Sequence, residues 1–434
     1  MKHLSHPDVN QLEAAVNAAM PLAERLFNDL RTNTAAREGV SRESYGEGEQ
    51  YAHDLLADAA KALQLEIAVD FAGNLYMTLP GSDRSTPGWI MGSHLDSVPQ
   101  GGNFDGAAGV VAGITALAAF RQSNYVPPSD VTVVGIRAEE ASSWYRGDHG
   151  GHLGSRAVLG LLEPGELDAA INLRTNRTMA DHMREAGFDP AAGYDESKRL
   201  QKQKYKGYLE LHIEQGPVLE NRGLPVGIVT GIRGSARARN ARCIGVYTHS
   251  GAVPHEYRSD AVLATAELCH RLDQRWDDVR SGGGDLVFTV GKLFTDPQVH
   301  SITKVPGETS LTIEFRSQDM ATMEDMASFT GELANEIGER RRVKFDLGKF
   351  NMSEPAVMDA AIQRMLAAGA DQLQIPRMHL SSGAGHDAQD FALAGYPAGM
   401  IFVRNAHGSH NPHEAMAMED FALGTRLLAW ALAG

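Results

Sequence analysis

Apolar side chains recur at helical spacing over residues 9–30 and 50–65, separated by a polar, glycine-bearing break at 43–48. Short apolar runs at 65–69 and 74–79 read as strands, joined through Phe71-Ala72-Gly73. The run Trp89-Ile90-Met91 opens into Gly92-Ser93-His94-Leu95-Asp96-Ser97, and a small-residue helical pattern fills 107–120. Residues 131–136 form a continuous β-branched run, as expected of a strand covered on both faces. From Tyr208 the chain alternates, with Leu209, Leu211 and Ile213 on one face and Glu210, His212 and Glu214 on the other. Residues 141–200 read as loop and helix.

The texture changes after Gly231. Patterns there predict a strand at 236–248, a helix at 258–273, strands at 286–294 and 311–317, a helix at 320–339 and a strand at 343–350. That order, βαββαβ, is the split-βαβ arrangement of a ferredoxin-like domain. Residues 355–434 return to α/β texture: helix 355–370, a loop around Ser382, strand 399–403 and helix 420–432. The length of 434 residues exceeds one comfortable core. The expected fold class is therefore α/β, with a central, mostly parallel sheet flanked by helices at 1–228 and 353–434. An α+β ferredoxin-like domain is inserted at 229–352.

Composition narrows the function classes. Hydrophobic content of 43% and charged content of 22% are ordinary for a globular protein. A formal charge of -15 argues against nucleic acid or an anionic membrane as the main partner. Two cysteines, Cys243 and Cys269, argue against a secreted disulfide framework and a cysteine-based metal site. The opening Met1-Lys2-His3-Leu4-Ser5-His6-Pro7 lacks a signal peptide's apolar core, and no run reaches membrane-span length. A cytoplasmic location is the resulting expectation.

Candidate chemistry gathers where predicted strands end, the place an α/β sheet presents it. His94, Asp96 and Asp105 stand on one glycine-rich loop, and imidazole with carboxylate suits Zn²⁺, Mn²⁺, Co²⁺ or Ni²⁺. Glu139-Glu140 follows the 131–136 strand; one carboxylate can hold a metal while the other carries a proton. His212 sits on a polar strand face, where a structural histidine is the commoner occupant. The segment 407–414 holds His407, His410 and His413. If His94, Asp105, Glu140, His212 and His410 meet at one sheet edge, a two-metal site with a bridging carboxylate is the leading account. The glycines at 101–106 and 383–385 lack the lysine of a phosphate-binding loop and the spacing of a dinucleotide fingerprint.

Several stretches together resemble the M20 metallopeptidase clan, in its hydantoinase/carbamoylase amidase branch. They are GSHLDSVPQGGNFDGAAGV, EE followed by GSRA, LELHIEQGPVLE, HSGAVP, SSGAGHDA and GSHNPHE, spread over residues 92–414. That branch includes N-carbamoyl-L-amino-acid amidohydrolases, β-ureidopropionase-like enzymes and allantoate amidohydrolases. The resemblance implies a metal-dependent amidohydrolase cleaving a linear amide or ureido C–N bond of a small molecule. It implies two divalent ions per subunit (Zn²⁺, Mn²⁺, Co²⁺ or Ni²⁺) held by His94, Asp105, Glu140, His212 and His410, with Asp105 bridging. Glu139 is implied as general base and then acid, and Asp96 as the partner orienting His94. His249 is implied to stabilise the oxyanion in a neighbouring subunit, within a homodimer built through the inserted domain, which also acts as a lid. Gln215, Arg316, Gly383 and His386 are implied as substrate contacts.

Two departures from the branch bear on the substrate. The segment before Val305-Pro306-Gly307 reads His300-Ser301-Ile302-Thr303-Lys304, without the usual asparagine. Glu140 is followed by Ala141-Ser142-Ser143-Trp144 rather than glycine and phenylalanine. The alternatives are a deacylase, amidase or aminopeptidase of the same clan acting on another small N-acyl substrate, and a non-catalytic metal-binding protein.

Overall fold

The computed structural model describes residues 8–146 and 151–434. The opening heptapeptide and positions 147–150 of the expected loop-and-helix stretch lie outside the described residues. The chain divides into two units, Met1–Thr230 with Val357–Gly434, and Gly231–Ala356.

The larger unit is built on a nine-stranded mixed sheet. Strands Val131–Ile136, Gly88–His94, Tyr205–Ile213 and Ala398–Val403 are neighbours in that order and run parallel. Antiparallel strands close both sides: Leu75–Leu79 and Glu66–Val69 on one, Val226–Ile232 on the other. Every residue of Gly88–His94 and Val131–Ile136 is buried, which explains their unbroken apolar texture. Helix Ala107–Gln122 is buried on all sides through Phe120 and packs against helices Val9–Asn33 and Met418–Leu432. Its alanines and glycines let neighbouring backbones approach closely. Four parallel strands ending on the same side bring their terminal loops together, which is what the site requires.

The smaller unit is a six-stranded antiparallel sheet. Strand Glu308–Ser317 alternates buried and half-buried residues along its whole length. Its buried side, with Leu311, Ile313 and Phe315, packs with Leu268 and Leu272 of helix Ala261–Ser281 and Met323, Leu333 and Ile337 of helix Met320–Arg341. Asp260 and Asp319 cap these two helices by accepting backbone N–H bonds.

Element boundaries differ from the sequence expectations in instructive places. The 286–294 run splits into Val287–Thr289 and Leu293–Phe294, both on strand Glu308–Ser317. The 343–350 run becomes Lys344–Asp346 and Asn351–Ser353, because Gly348 turns the chain at φ +65°. Val226–Ile232 and Arg377–Ser382 are strands that the apolar pattern did not separate from loop. Among the described residues, no helix is long and apolar enough to cross a membrane.

Candidate metal centre

The site starts where strand Gly88–His94 ends. His94 is buried and its Nδ1 lies 3.2 Å from both the backbone oxygen and Oδ1 of Asp96. Two oxygens that only accept fix a proton on Nδ1, and Nε2 faces Asp105, 3.6 Å away. Asp96 does more than orient this ring. Its carboxylate accepts from Ser44 Oγ at 2.6 Å and from the Glu139 and Glu140 amides at 3.2 and 3.1 Å. One buried carboxylate thus ties the His94 loop to the Glu139-Glu140 turn.

His212, on strand Tyr205–Ile213, is set up the same way. Its Nδ1 donates to the Ile213 carbonyl at 2.9 Å, and its Nε2 accepts the Gly106 N–H at 3.2 Å. Nε2 therefore carries a lone pair, 3.1 Å from Asp105 Oδ1. Gly106 adopts φ +66°, and a Cβ there would lie 2.4 Å from His94 Cε1, so only glycine lets this loop close over the imidazole. Across Asp105, His410 Nε2 lies 3.4 Å from Oδ2 and 2.7 Å from Glu140 Oε1.

Two donor groups result, His94-Asp105-His212 and Asp105-Glu140-His410, each with ligand atoms within 4.8 Å of one another. Asp105 belongs to both. Its Oδ1 is buried without a hydrogen-bond donor, although two imidazole nitrogens face it, His212 Nε2 with its lone pair. Lone pairs facing a carboxylate repel unless a cation lies between them, so these residues fit a metal ion. A third group, Glu210-His212-His386, shares His212.

The charges are arranged around this centre. Burial, with the charges of Glu139 and Asp105, pushes the Glu140 carboxyl up to about 7, against the pull of His410. Burial pushes Glu139 the same way, but His152 and His94 overcome it and bring its carboxyl down to about 2. Glu139 is thus held ionised beside the donor groups, with Oε2 3.8 Å from His94 Nε2.

Residues 90–433 match the family profile of peptidase family M20/M25/M40. The chain belongs to that family. It is a hydrolase. It is 32% identical to the N-carbamoyl-L-amino acid amidohydrolase of Geobacillus stearothermophilus over 91% of this chain and 94% of that one. It is 33% identical to the allantoate amidohydrolase of Escherichia coli K12, covering 85% of this chain and 86% of the relative. A hydantoinase/carbamoylase family amidase from Burkholderia multivorans superposes with a TM-score of 0.85 at 25% identity, covering 95% of this chain and 97% of that chain.

In this M20 hydrolase the remaining sequence candidates fall into two sets. Gln215 stands at the centre: its Nε2 donates to Asp105 Oδ2 at 2.9 Å, and its buried Oε1 has no partner. His386 is buried against His212, with ring centroids 4.5 Å apart, and its Nε2 lies 2.9 Å from Ser382 Oγ. Gly383 lies on the exposed turn before it. His249 and Arg316 belong to the smaller unit. His249 is exposed, and its Nδ1 accepts the Gly251 and Ala252 amides at 3.1 Å. Arg316 Nη2 lies 3.1 Å from Glu314 Oε1.

Sequence reasoning missed several groups. Glu414 accepts the Phe104 and Asp105 amides and the Ser409 hydroxyl, while Ser409 also donates to Asp105. His152 lies 3.1 Å from Glu139 and 2.8 Å from Asp390. Glu414 stood inside a stretch already singled out; nothing in the local pattern distinguishes His152.

Proposed function

We propose that this hydrolase holds two divalent ions and cleaves a linear C–N bond in an N-carbamoyl amino acid or a related ureido compound. The observation that carries this reading is the pair of donor groups sharing Asp105, with the ionised Glu139 beside them. Its relatives' names point to carbamoyl and ureido substrates. On this reading His94 and His212 hold one ion, Glu140 and His410 the other, and Asp105 joins them. Asp96 keeps the His94 lone pair aimed inward. Zn²⁺, Mn²⁺, Co²⁺ and Ni²⁺ all suit such imidazole and carboxylate donors. When bound, such ions supply Lewis-acid polarisation of a carbonyl and a lowered water pKa.

The chain's own residues do the rest. Glu139 accepts a proton from the attacking water and returns it to the departing nitrogen. The unpartnered Gln215 Oε1 is an acceptor suited to the N–H of a carbamoyl group. In the smaller unit, the two amides on His249 Nδ1 leave Nε2 as the protonated nitrogen, a donor suited to a developing oxyanion. Arg316 offers a planar fork suited to a substrate carboxylate, and in the larger unit the Gly383–His386 loop would line the substrate pocket. We assign the smaller unit as a ferredoxin-like lid and dimerisation domain, supported by its antiparallel sheet, in which Gly234–Ile244 precedes helix Ala261–Ser281, Val287–Thr289 and Glu308–Ser317 lie between the two helices, and Lys344–Asp346 follows helix Met320–Arg341. The protein is then a cytoplasmic homodimer acting on a small molecule.

The test is removal and readdition of metal, coupled to product analysis over carbamoyl, ureido and acyl amino acids. Ammonia released only from metal-loaded protein, and from carbamoyl or ureido substrates, is the expected result. A carboxylic acid released from acyl substrates alone overturns the substrate class, and turnover by metal-free protein overturns the metal role.

A further inference from the structure

Among the described residues, His152 is the one imidazole of this region that faces carboxylates through both ring nitrogens without belonging to a donor group. Its Nε2 lies 3.1 Å from Glu139 Oε1, and its Nδ1 lies 2.8 Å from Asp390 Oδ2. Two ionised carboxylates can only accept, so both ring nitrogens carry protons and the ring is an imidazolium. Burial opposes that charge, but the carboxylates of Glu139 and Asp390 hold the ring protonated well above the usual histidine range.

The surroundings fix the ring tightly. Ser155 Oγ donates into the carboxylates of Asp387 at 2.6 Å and Asp390 at 3.1 Å, joining helix Leu153–Leu159 to helix Asp387–Leu393. His152 itself sits at φ +54°, a conformation that a non-glycine residue adopts at some cost, directly before the first of these helices. Its backbone N–H donates to the Glu139 carbonyl at 2.9 Å, so the same residue grips Glu139 by main chain and side chain. Gly385 leaves room for the ring, since a Cβ there would lie 2.8 Å from both Cε1 and Nε2 of His152.

The consequence lies in the two oxygens of Glu139. Oε1 is taken by His152; Oε2 is the one near His94. We infer that His152, anchored by Asp390, is a positioning residue that holds one Glu139 oxygen and turns the other toward the donor groups. The inference rests on Glu139 being the proton carrier. Without His152, the Glu139 carboxylate is free to rotate, and proton transfer loses alignment while substrate binding does not.

Four variants test it, using the metal-loaded protein and the best substrate of the carbamoyl panel. His152→Ala is expected to lower kcat about tenfold to a hundredfold, a fraction of a general base's worth. KM is expected to stay within about twofold, with metal content unchanged. Added imidazole restores part of kcat in the His152→Ala protein, which a structural role would not allow. His152→Gln, which keeps an N–H donor, retains more activity than His152→Ala. Asp390→Asn combined with His152→Ala costs little beyond His152→Ala alone, because the two act as a unit. In ¹⁵N-histidine spectra, one ring with both nitrogens protonated at neutral pH is expected and disappears in His152→Ala. A His152→Ala protein with wild-type kcat, or one that loses metal, or one whose kcat imidazole leaves unchanged, overturns the inference. Glu139→Gln separates the two ideas. If Glu139→Gln is inactive while His152→Ala matches wild type, only the His152 role fails; if Glu139→Gln turns over normally, the proton-carrier reading itself fails.

Discussion

The two units treat charge in opposite ways. Among the described residues of Gly231–Ala356, the buried polar side chains are all hydroxyls: Ser235, Thr265, Thr309, Ser317 and Thr330. The larger unit buries Arg42, Glu49, Asp96, Asp105, Arg137, Glu139, Glu140, Glu210, Asp387 and Glu414. Buried charge is costly unless it is paired, hydrogen-bonded or bound to a metal. A unit that needs only to fold avoids it, and the smaller unit leaves its ion pairs, such as Arg271–Glu336, near the surface. The larger unit retains it where the sheet's strands end, and supports it with structure. Arg137 shows how: its guanidinium donates to Glu49 at 2.9 Å, Gln50 at 2.6 Å and the Gly73 carbonyl at 2.9 Å. Glu49 in turn accepts the Ala138 amide at 2.8 Å, directly before Glu139. The charged scaffold and the charged site are continuous.

That contrast can be broken or sharpened by experiment, from the largest effect downward. Chelation is expected to abolish turnover. By hydrogen exchange, it should also loosen peptides around 88–106 and 205–215 while leaving those within 234–353 unchanged. Equal loosening of both units would erase the distinction. Glu139→Gln should lower kcat about a thousandfold with metal content retained, as expected for loss of a general base. Glu49→Ala strands the buried Arg137 charge and should cost about 3–5 kcal/mol in denaturant unfolding, with activity falling as the Glu139 turn loosens. Phe315→Ala, in the apolar core of the smaller unit, should cost a similar 3–5 kcal/mol, yet leave metal content unchanged. Arg271→Ala, which removes the surface pair with Glu336, should change stability by less than about 1 kcal/mol.

Legibility followed the same division. Strand 131–136 and helix 107–120 are readable because burial on every side leaves an unbroken apolar or small-residue run. The alternation from Leu209 to Glu214 identifies a strand, and therefore sets His212 apart from its apolar neighbours. Val226–Ile232, paired with both Ala398–Val403 and Arg377–Ser382, is less readable because Gly227 and Gly231 interrupt its apolar run, and Arg377–Ser382 because most of it is only partly buried. Asp96 shows a partial case: its nearness to His94 is local, but its bonds to Ser44 and to the Glu139 and Glu140 amides join three separate segments. His152 was not readable at all. Its partner Asp390 lies 238 positions away, and the meeting depends on two short helices packing side by side.

The sequence by itself determined the local order of this protein: which runs become strands and helices, and which loops carry imidazoles and carboxylates. These follow from residue periodicity and side-chain chemistry, which act over a few positions. Only the tertiary structure decided which imidazole nitrogens face Asp105, which oxygen of Glu139 is held, and which charges are buried together. Those are distances of a few ångströms between residues hundreds of positions apart, and they exist only once the parallel strands have brought their ends to one edge.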